Sequence, residues 1–293
     1  MAEAATEPTQ VAEAGDLRKQ PIEQILTELQ ARLGTRFAES TMVRKRRSVG
    51  VQSDRDTWIR IEARPIGKAA AQAQINNGIE ASTLLDGIAK PRWHQTVSWL
   101  DEPTQVLWRA DECELITGPA AQPIGYPLTE PDLSPAWWRT LNESLDNLAR
   151  QHTSRIATPD TQSITQALVT DTIEQVFPGR VDTTITDHPW VPAHADLVWS
   201  NLTAPVCWIL DWEDLGLAPR GLDAATLWMN SIMVPALADR VYAERRADLT
   251  TRSGRIMALF YAAKELSDPS FASTPAYEPT MKQAAELLEN LRP

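Results

Sequence analysis

Four polar residues inside a stretch of eighteen constrain the fold of this chain most strongly. His194, Asp196 and Asn201 lie in the sequence HADLVWSN, and Asp211 follows a short apolar run. That run, Val206–Leu210, has the composition of a buried strand, which predicts a strand, a loop and a second strand around the polar residues. Carboxylates that a packed scaffold holds in loops are common in active sites. The stretch therefore predicts one site built from two neighbouring loops.

Side chains of these types suit the transfer of a phosphoryl group from ATP to a hydroxyl. The reaction needs a carboxylate that orients the acceptor hydroxyl and accepts its proton. It also needs oxygen ligands, one carboxylate and one amide, for a Mg²⁺ ion that keeps several waters. The remaining catalysis is positioning and neutralisation of charge.

The pattern H-x-D-x-x-x-x-N, followed by I-x-D-W-E, resembles the aminoglycoside phosphotransferase and choline kinase-like family. The resemblance implies a bilobal protein-kinase-like fold of the α+β class. It also implies that Asp196 is the catalytic base and that Asn201 and Asp211 are the metal ligands. His194 would be a structural residue of the catalytic loop. Ala195 stands where the family commonly has glycine.

Three further segments resemble the same family. GLAPRGLDAATLW places Asp223 where the family braces its catalytic loop, a structural role. LDNLARQHT places His152, and GIEASTLLDGIAKPRW places Glu80 on the family's glutamate-bearing helix. The resemblance extends over about residues 34–230 and is strongest at 194–223.

Kinases of this fold usually place a cation on the third strand to hold the nucleotide phosphates, paired with a helix glutamate. The predicted strand TWIRIEARP contains no lysine. Arg60 is the first candidate for this cation and Arg64 the second, because arginine binds phosphate well through its planar fork. Glu80 is the candidate partner.

The loop that covers the phosphates is poorly marked, because the N-terminal part contains no G-x-G-x-x-G. Residues around Ser40 and Thr41 are candidates. The basic run Val43–Arg47 is a candidate for binding an acidic partner or ATP phosphates, although such runs are more often solvated edge strands. The segment 110–117 is the predicted connector beside the adenine.

The chain changes character near Cys113, where a segment rich in Pro and Gly begins. Strand and helix patterns alternate before it, and helix patterns dominate after it. The predicted divisions are a flexible tail at 1–17, a nucleotide-binding N-lobe with a small antiparallel sheet at 18–112, and a mainly helical C-lobe at 113–293. The predicted elements are a helix at Pro21–Leu33 ended by Gly34, hairpins at 47–65 and His94–Arg109, and helices at Lys68–Ala89, 136–153 and 161–177.

Composition limits the classes of partner. The net charge of −11 argues against a nucleic-acid binder and permits a cationic substrate. Cys113 and Cys207 are too few and too far apart for a disulfide framework or a zinc site, which fits a reducing compartment. No apolar run reaches 18 residues and the N-terminus lacks signal-peptide features, so we expect a cytoplasmic protein with no membrane span.

The leading hypothesis is a phosphotransferase that uses Mg²⁺ with ATP or GTP and phosphorylates a hydroxyl of a small molecule, of the aminoglycoside, choline-like alcohol or sugar class. In the family the acceptor cleft is typically acidic, and Asp239, Glu244 and Glu265 lie in the corresponding region. One alternative is a kinase that phosphorylates Ser or Thr of a peptide. The other is a pseudokinase that binds nucleotide without turnover. The sequence leaves the oligomeric state open.

Overall fold

The computed structural model describes residues 16–67, 77–159, 162–186 and 189–292, which form two compact units. The first unit takes the described residues up to Glu80 together with Arg92–Ile116. The second takes Ala81–Pro91 and the described residues from Thr117 onward. Of the predicted tail, residues 1–15 lie outside the described residues, whereas Leu17 is only 1% exposed and belongs to the core of the first unit.

The first unit is a five-stranded antiparallel sheet with one longer helix. The helix begins at Glu23, two residues after the predicted start, and ends at Leu33 as predicted. Gly34 has the left-handed φ of 62° that favours glycine after a helix. The strand order is β1-β2-β3-β5-β4. The elements are α1 (Glu23–Leu33), β1 (Phe37–Arg44), β2 (Ser48–Ser53), β3 (Thr57–Pro65), α2 (Gly78–Ala81), β4 (Trp93–Asp101) and β5 (Val106–Glu114).

The two faces of this sheet differ in chemistry, because successive side chains of a strand point to opposite faces. One face packs with α1 into an apolar core that includes Val49, Val51, Ile59, Ile61 and Ala110. The alternate positions of the central strands β3 and β5 carry charged residues. That second face is where the predicted phosphate-holding cations lie.

Both predicted hairpins are confirmed, as β2–β3 and β4–β5. Strand β5 continues to Glu114, so five of the eight residues of the predicted connector 110–117 are strand instead. Ser40 and Thr41 lie within β1 rather than in a loop, although the β1–β2 register shifts beside them, between Ala38 and Val43.

The predicted helix at Lys68–Ala89 is shorter than expected where it is described. Residues 68–76 lie outside the described residues. Helical structure is limited to α2 and a 3₁₀ turn at Ser82–Leu84, and no helix continues to Ala89. The backbone N–H of Ala89 instead donates to Ser144 Oγ at 3.0 Å, which ties this segment to a helix of the second unit.

The second unit is mainly helical, as predicted. Its central helix, α8, has ten buried residues out of sixteen and packs against several of the others. None of the helices in the described ranges has the length and apolar composition that a membrane-crossing segment requires. The elements are α3 (Pro135–Arg150), α4 (Gln166–Val176), β6 (Trp190–Ala193), β7 (Gly216–Pro219), α5 (Leu222–Met229), α6 (Pro235–Glu244), α7 (Arg246–Leu249), α8 (Arg252–Ser267) and α9 (Tyr277–Asn290).

The predicted strand at Val206–Leu210 is wrong. The segment forms a tight turn held by a bond from Thr203 N–H to the Trp208 carbonyl at 3.1 Å, and only an isolated bridge joins Leu202 to Ile209. The chain has to reverse its direction within a few residues to bring the two polar loops together. The segment is therefore too short to form a ladder of paired strand residues. The apolar residues of the run serve as side-chain packing, with Ile209 fully buried.

Three tryptophans anchor the loop that carries the motif. The Trp199 ring lies 6.0 Å from that of Trp137 and 6.1 Å from that of Trp138. The indole N–H of Trp137 donates to the Thr203 carbonyl at 2.7 Å, and that of Trp199 donates to Ser231 Oγ at 2.9 Å. These buried rings and satisfied N–H groups fix the loop against α3 and the segment after α5.

Gly216, at the start of β7, is expected to tolerate no side chain. A Cβ there would lie 2.2 Å from the backbone nitrogen of Ala157 and 2.3 Å from the carbonyl carbon of Ile156. Because backbone atoms cannot rotate away, Gly216→Ala should lower the free energy of unfolding by about 1–3 kcal/mol in urea denaturation. Gly67→Ala is the control, since a Cβ there meets no atom of the described residues within 4 Å. Equal unfolding curves for the two variants would contradict the prediction.

Candidate active site

Asp223, in the first turn of α5, holds the start of the motif loop. Its two carboxylate oxygens each accept one backbone N–H at 2.8 Å, from His194 and from Ala195. Burial raises the pKa of Asp223, while His194 and the two N–H donors act in the opposite direction. Ala195 has a left-handed φ of 70°, which explains why glycine would suit this position and why the loop needs a brace.

His194 joins the two loops of the site. Its Nε2 lies 2.8 Å from the Leu210 carbonyl, which can only accept, so Nε2 carries the proton. Its Nδ1 accepts the backbone N–H of Asp196 at 3.3 Å, and its ring packs edge-on against Trp212. The side chain is fully buried. His194 therefore connects the loop of Asp196 to the residue that precedes Asp211.

Asn201 is bonded directly to Asp196. Its amide nitrogen donates to the Asp196 carbonyl and to Asp196 Oδ2, both at 2.9 Å. The amide nitrogen is thereby engaged, so the amide oxygen is the atom that Asn201 can offer to a cation. The Asn201 carbonyl accepts the Leu210 N–H at 2.8 Å, and Asp211 follows in a left-handed conformation with φ 66°. The structure thus ties together the three residues that the sequence proposes as base and ligands.

Asp214 is a further carboxylate of this site that the sequence analysis missed. It is buried, and its Oδ1 accepts the Thr158 hydroxyl at 2.8 Å. Burial first, and then the nearby charges of Asp196 and Asp211, raise its pKa from the usual 3.8 to about 6, against the opposing effect of Thr158. The sequence offers one signal for Asp214, which is its position three residues after Asp211 in the same turn.

The pKa of Asp214 predicts how stability depends on pH. Its folded pKa, about 6, is above the unfolded value, so the folded state binds more protons between pH 4 and 6 and loses stability as pH rises through that window. Asp214→Asn removes this titration and keeps an oxygen for Thr158. The free energy of unfolding of the variant, relative to that of wild type, should rise by about 1–3 kcal/mol between pH 4.5 and pH 7.5, as measured by metal-free urea denaturation.

The control for this measurement is Asp239→Asn, because Asp239 is exposed on α6. The difference in free energy of unfolding between Asp239→Asn and wild type is measured at the same two pH values. If the difference between Asp214→Asn and wild type did not grow relative to it between pH 4.5 and pH 7.5, the raised pKa of Asp214 would be refuted.

The donor set fits a hard divalent cation. In the described residues, no group of three or more His, Cys, Asp or Glu side chains could hold a metal ion. One amide and one carboxylate oxygen, on loops that are hydrogen-bonded to each other, match Mg²⁺, which keeps waters and takes phosphate oxygens as its other ligands.

The predicted cations lie on the charged face of the first unit. Arg60 forms an ion pair with Glu62 at 2.7 Å, and Arg64 forms one with the same carboxylate at 3.1 Å. Glu80 forms an ion pair at 3.0 Å with Arg109 of β5. Arg109 is a partner that the sequence analysis missed, because only the pairing of β3 with β5 brings it to this face.

A cavity of about 170 Å³ opens beside Asp196 within the second unit. Glu265 lines it, but the other two acidic residues proposed for the acceptor cleft do not. Asp239 is exposed on α6, and Glu244 accepts the Asn142 amide N–H at 2.6 Å.

No protein-family model matches this sequence, and no curated protein matches it. Solved structures, in contrast, match along nearly its whole length. One is aminoglycoside 2'-phosphotransferase-IIIa in its GDP complex, with a TM-score of 0.60 and 16% identity, covering 91% of this chain and 99% of that chain. Another is an amicoumacin kinase in complex with AMP-PNP, Ca²⁺ and Ami, with a TM-score of 0.56 and 11% identity, covering 91% and 93%.

A third is the macrolide 2'-phosphotransferase of Brachybacterium faecium, with a TM-score of 0.55 and 14% identity, covering 92% of this chain and 98% of that chain. At these identities the likeness is one of fold. It confirms the predicted α+β architecture. The chain has the protein-kinase-like fold of the small-molecule phosphotransferases.

Proposed function

We propose that this protein is a phosphotransferase that moves the γ-phosphoryl group of ATP or GTP to a hydroxyl of a small molecule. One observation carries the proposal. Asp196 and Asn201 are hydrogen-bonded to each other, and His194 and the Asn201–Leu210 backbone bond tie them to the loop of Asp211. A fold that needed these residues only for packing would have no reason to leave Asp196 and Asp211 half-buried in loops.

Asp196 is the proposed base. It orients the acceptor hydroxyl and takes its proton as the new bond forms between the acceptor oxygen and the γ-phosphorus. The bond between that phosphorus and the bridging oxygen breaks, and the nucleoside diphosphate leaves with the electron pair. Asn201 fixes the Asp196 carboxylate through its amide N–H, which keeps the base in one orientation.

Asn201 and Asp211 would hold the Mg²⁺ ion through one amide and one carboxylate oxygen. When bound, this ion neutralises the charge of the β- and γ-phosphates. In the first unit, Arg60, with Arg64 as the alternative, would hold phosphate oxygens, and Glu80 would be its partner. Arg109 fixes Glu80 in place at 3.0 Å.

The rival function is nucleotide binding without turnover. One observation favours it, because Arg60 and Arg64 both pair with Glu62, and each ion pair lowers the charge available to a phosphate. The intact set of base and metal ligands favours turnover. The two hypotheses agree on binding and differ in whether product forms.

The test is consumption of ATP and of GTP with Mg²⁺ across a panel of alcohols, sugars, aminoglycosides and hydroxyl-bearing peptides. Mass spectrometry should find a phosphorylated small molecule in at least one reaction. Phosphate on a peptide alone would support the peptide kinase instead. Thermal stabilisation by nucleotide and Mg²⁺, with no product from any acceptor, would support the rival without turnover.

A further inference from the structure

Residues 155–158 run beside the turn that follows the proposed metal ligand Asp211. The N–H of Leu217 donates to the Arg155 carbonyl at 2.8 Å, and the N–H of Ala157 donates to the Leu217 carbonyl at 3.0 Å. These two bonds attach the segment to the edge of β7, and both segment and turn belong to the second unit. The side chains of residues 155–158 are thereby brought to the turn that leaves Asp211.

Three consecutive carbonyl groups of this turn accept hydrogen bonds from the segment. The Arg155 guanidinium donates from Nη2 to the Glu213 carbonyl at 3.3 Å and from Nε to the Leu215 carbonyl at 2.8 Å. Between them, the Asp214 carbonyl accepts the N–H of Thr158 at 3.2 Å. Carbonyl groups in a buried turn need such partners, and the planar fork of an arginine can serve two of them at once. The segment therefore fixes the path of the backbone through the turn.

The segment also holds the side chain of Asp214. The Thr158 hydroxyl donates to Asp214 Oδ1 at 2.8 Å. Burial lowers the pKa of Arg155, and the charge of Asp214 acts in the opposite direction, so the guanidinium and this carboxylate attract each other. Both the backbone and the one buried carboxylate of the turn are thus held by residues 155–158.

Asp211 depends on support from both sides, because its backbone conformation is strained. Its φ of 66° lies in the left-handed region, which residues other than glycine keep only where the surrounding structure enforces it. On the N-terminal side, the Leu210 N–H donates to the Asn201 carbonyl, and the Leu210 carbonyl accepts from His194. On the C-terminal side, the corresponding bonds are those from residues 155–158.

We propose that Arg155 and Thr158 are positioning residues that set the affinity of the site for its divalent cation, because they fix the turn that carries the carboxylate of Asp211. They act through the turn and not by contact with the ion. The inference rests on the proposed function, since it takes Asp211 as a ligand of the metal. Groups that orient a metal ligand in this way change metal affinity by about 10–100-fold when they are lost.

The test measures the binding of Mn²⁺ to the full-length protein, so that it does not depend on turnover. Mn²⁺ replaces Mg²⁺ because both ions favour oxygen ligands, and the electron paramagnetic resonance signal of free Mn²⁺ gives the dissociation constant. Titrations are made with AMP-PNP and, in parallel, with GMP-PNP, and are corrected for the ion that the nucleotide alone holds. The variants are Arg155→Met, Arg155→Lys and Thr158→Val, with Asp211→Asn as the reference for loss of the ligand itself.

Arg155→Met should raise the dissociation constant of Mn²⁺ at least about tenfold. Arg155→Lys keeps the charge but not the planar fork, so its constant should lie between those of Arg155→Met and wild type. Thr158→Val removes the hydroxyl bond to Asp214 and keeps the backbone bond, so it should raise the constant less than Arg155→Met does. Arg150→Met, an exposed arginine at the end of α3, is the matched control and should bind Mn²⁺ as wild type does.

Two further readouts separate positioning from a general loss of folded protein. In metal-free hydrogen exchange, the Leu215 amide should exchange faster in Arg155→Met than in Arg150→Met, because the turn has lost two of its donors. Raising the Mg²⁺ concentration should restore the turnover of Arg155→Met toward that of wild type, since concentration compensates for weak binding. A variant that was partly unfolded would not respond to Mg²⁺ in this way.

The outcomes distinguish this inference from the proposed function. Wild-type Mn²⁺ affinity in Arg155→Met, with weakened affinity in Asp211→Asn, would overturn the inference and leave the phosphotransferase intact. If Arg155→Met does not fold, an unchanged affinity in folded Thr158→Val would overturn it instead. An affinity that Asp211→Asn does not change, or no binding of Mn²⁺ by wild type with either nucleotide, would overturn the assignment of Asp211, and both proposals would fail together.

Discussion

Asp196→Asn is expected to lower kcat by about 10²–10⁴-fold, because the amide cannot accept the proton of the acceptor hydroxyl. The KM for the nucleotide should change little, since the proposed ligands of the metal and phosphates are other residues. The substituted side chain keeps an oxygen at the position where Asn201 donates its N–H, so the loop should keep its conformation. Steady-state nucleotide consumption with the best acceptor of the panel gives both constants.

Two measurements make this result specific. Asp239→Asn, an exposed residue of α6, should retain wild-type kcat. The thermal unfolding of Asp196→Asn should match that of wild type, which separates a chemical loss from a structural one. A wild-type kcat in Asp196→Asn would show that another group is the base, whereas a lower kcat together with a lower unfolding temperature would locate the effect in the loop.

The sheet of the first unit could be predicted because the sequence signals that specify its strands lie close together along the chain. Alternating apolar residues and the turn Asp54–Asp56 specify β2 and β3, and the register follows from the turn. Helix α1 carries its own spacing and its own stop at Gly34. The motif residues likewise lie close together along the chain, so their association needed little long-range structure.

What failed to be predicted depends on contacts between distant segments. The apolar run Val206–Leu210 is compatible with a strand, but within the described ranges it makes only the isolated bridge between Leu202 and Ile209. Glu80 of α2 forms an ion pair with Arg109, 29 positions away on β5, and no local pattern in the sequence marks that contact. Lys264 of α8 lines the same cavity as Asp196 although more than sixty positions separate the two residues, and only packing brings them together.

Asp223 holds the motif loop through two hydrogen bonds, so its removal is expected to have a second large effect, on stability. Asp223→Ala would leave the backbone N–H groups of His194 and Ala195 without the acceptors that they have now. An unsatisfied buried donor costs about 1–3 kcal/mol, and two are affected. Removing a carboxylate whose pKa is raised by burial returns part of that cost. We therefore expect the free energy of unfolding to fall by about 2–4 kcal/mol.

Hydrogen exchange tests whether this loss arises at the brace. In wild type the amides of His194 and Ala195 should exchange slowly, and in Asp223→Ala they should exchange much faster, together with Asp196, whose N–H depends on the His194 ring. Asp223→Asn keeps one acceptor oxygen and should lose roughly half as much stability. Asp239→Ala is the exposed control. If the two amides stayed protected in Asp223→Ala, the loop would be held by its buried tryptophans alone, and the position of Asp196 would not depend on Asp223.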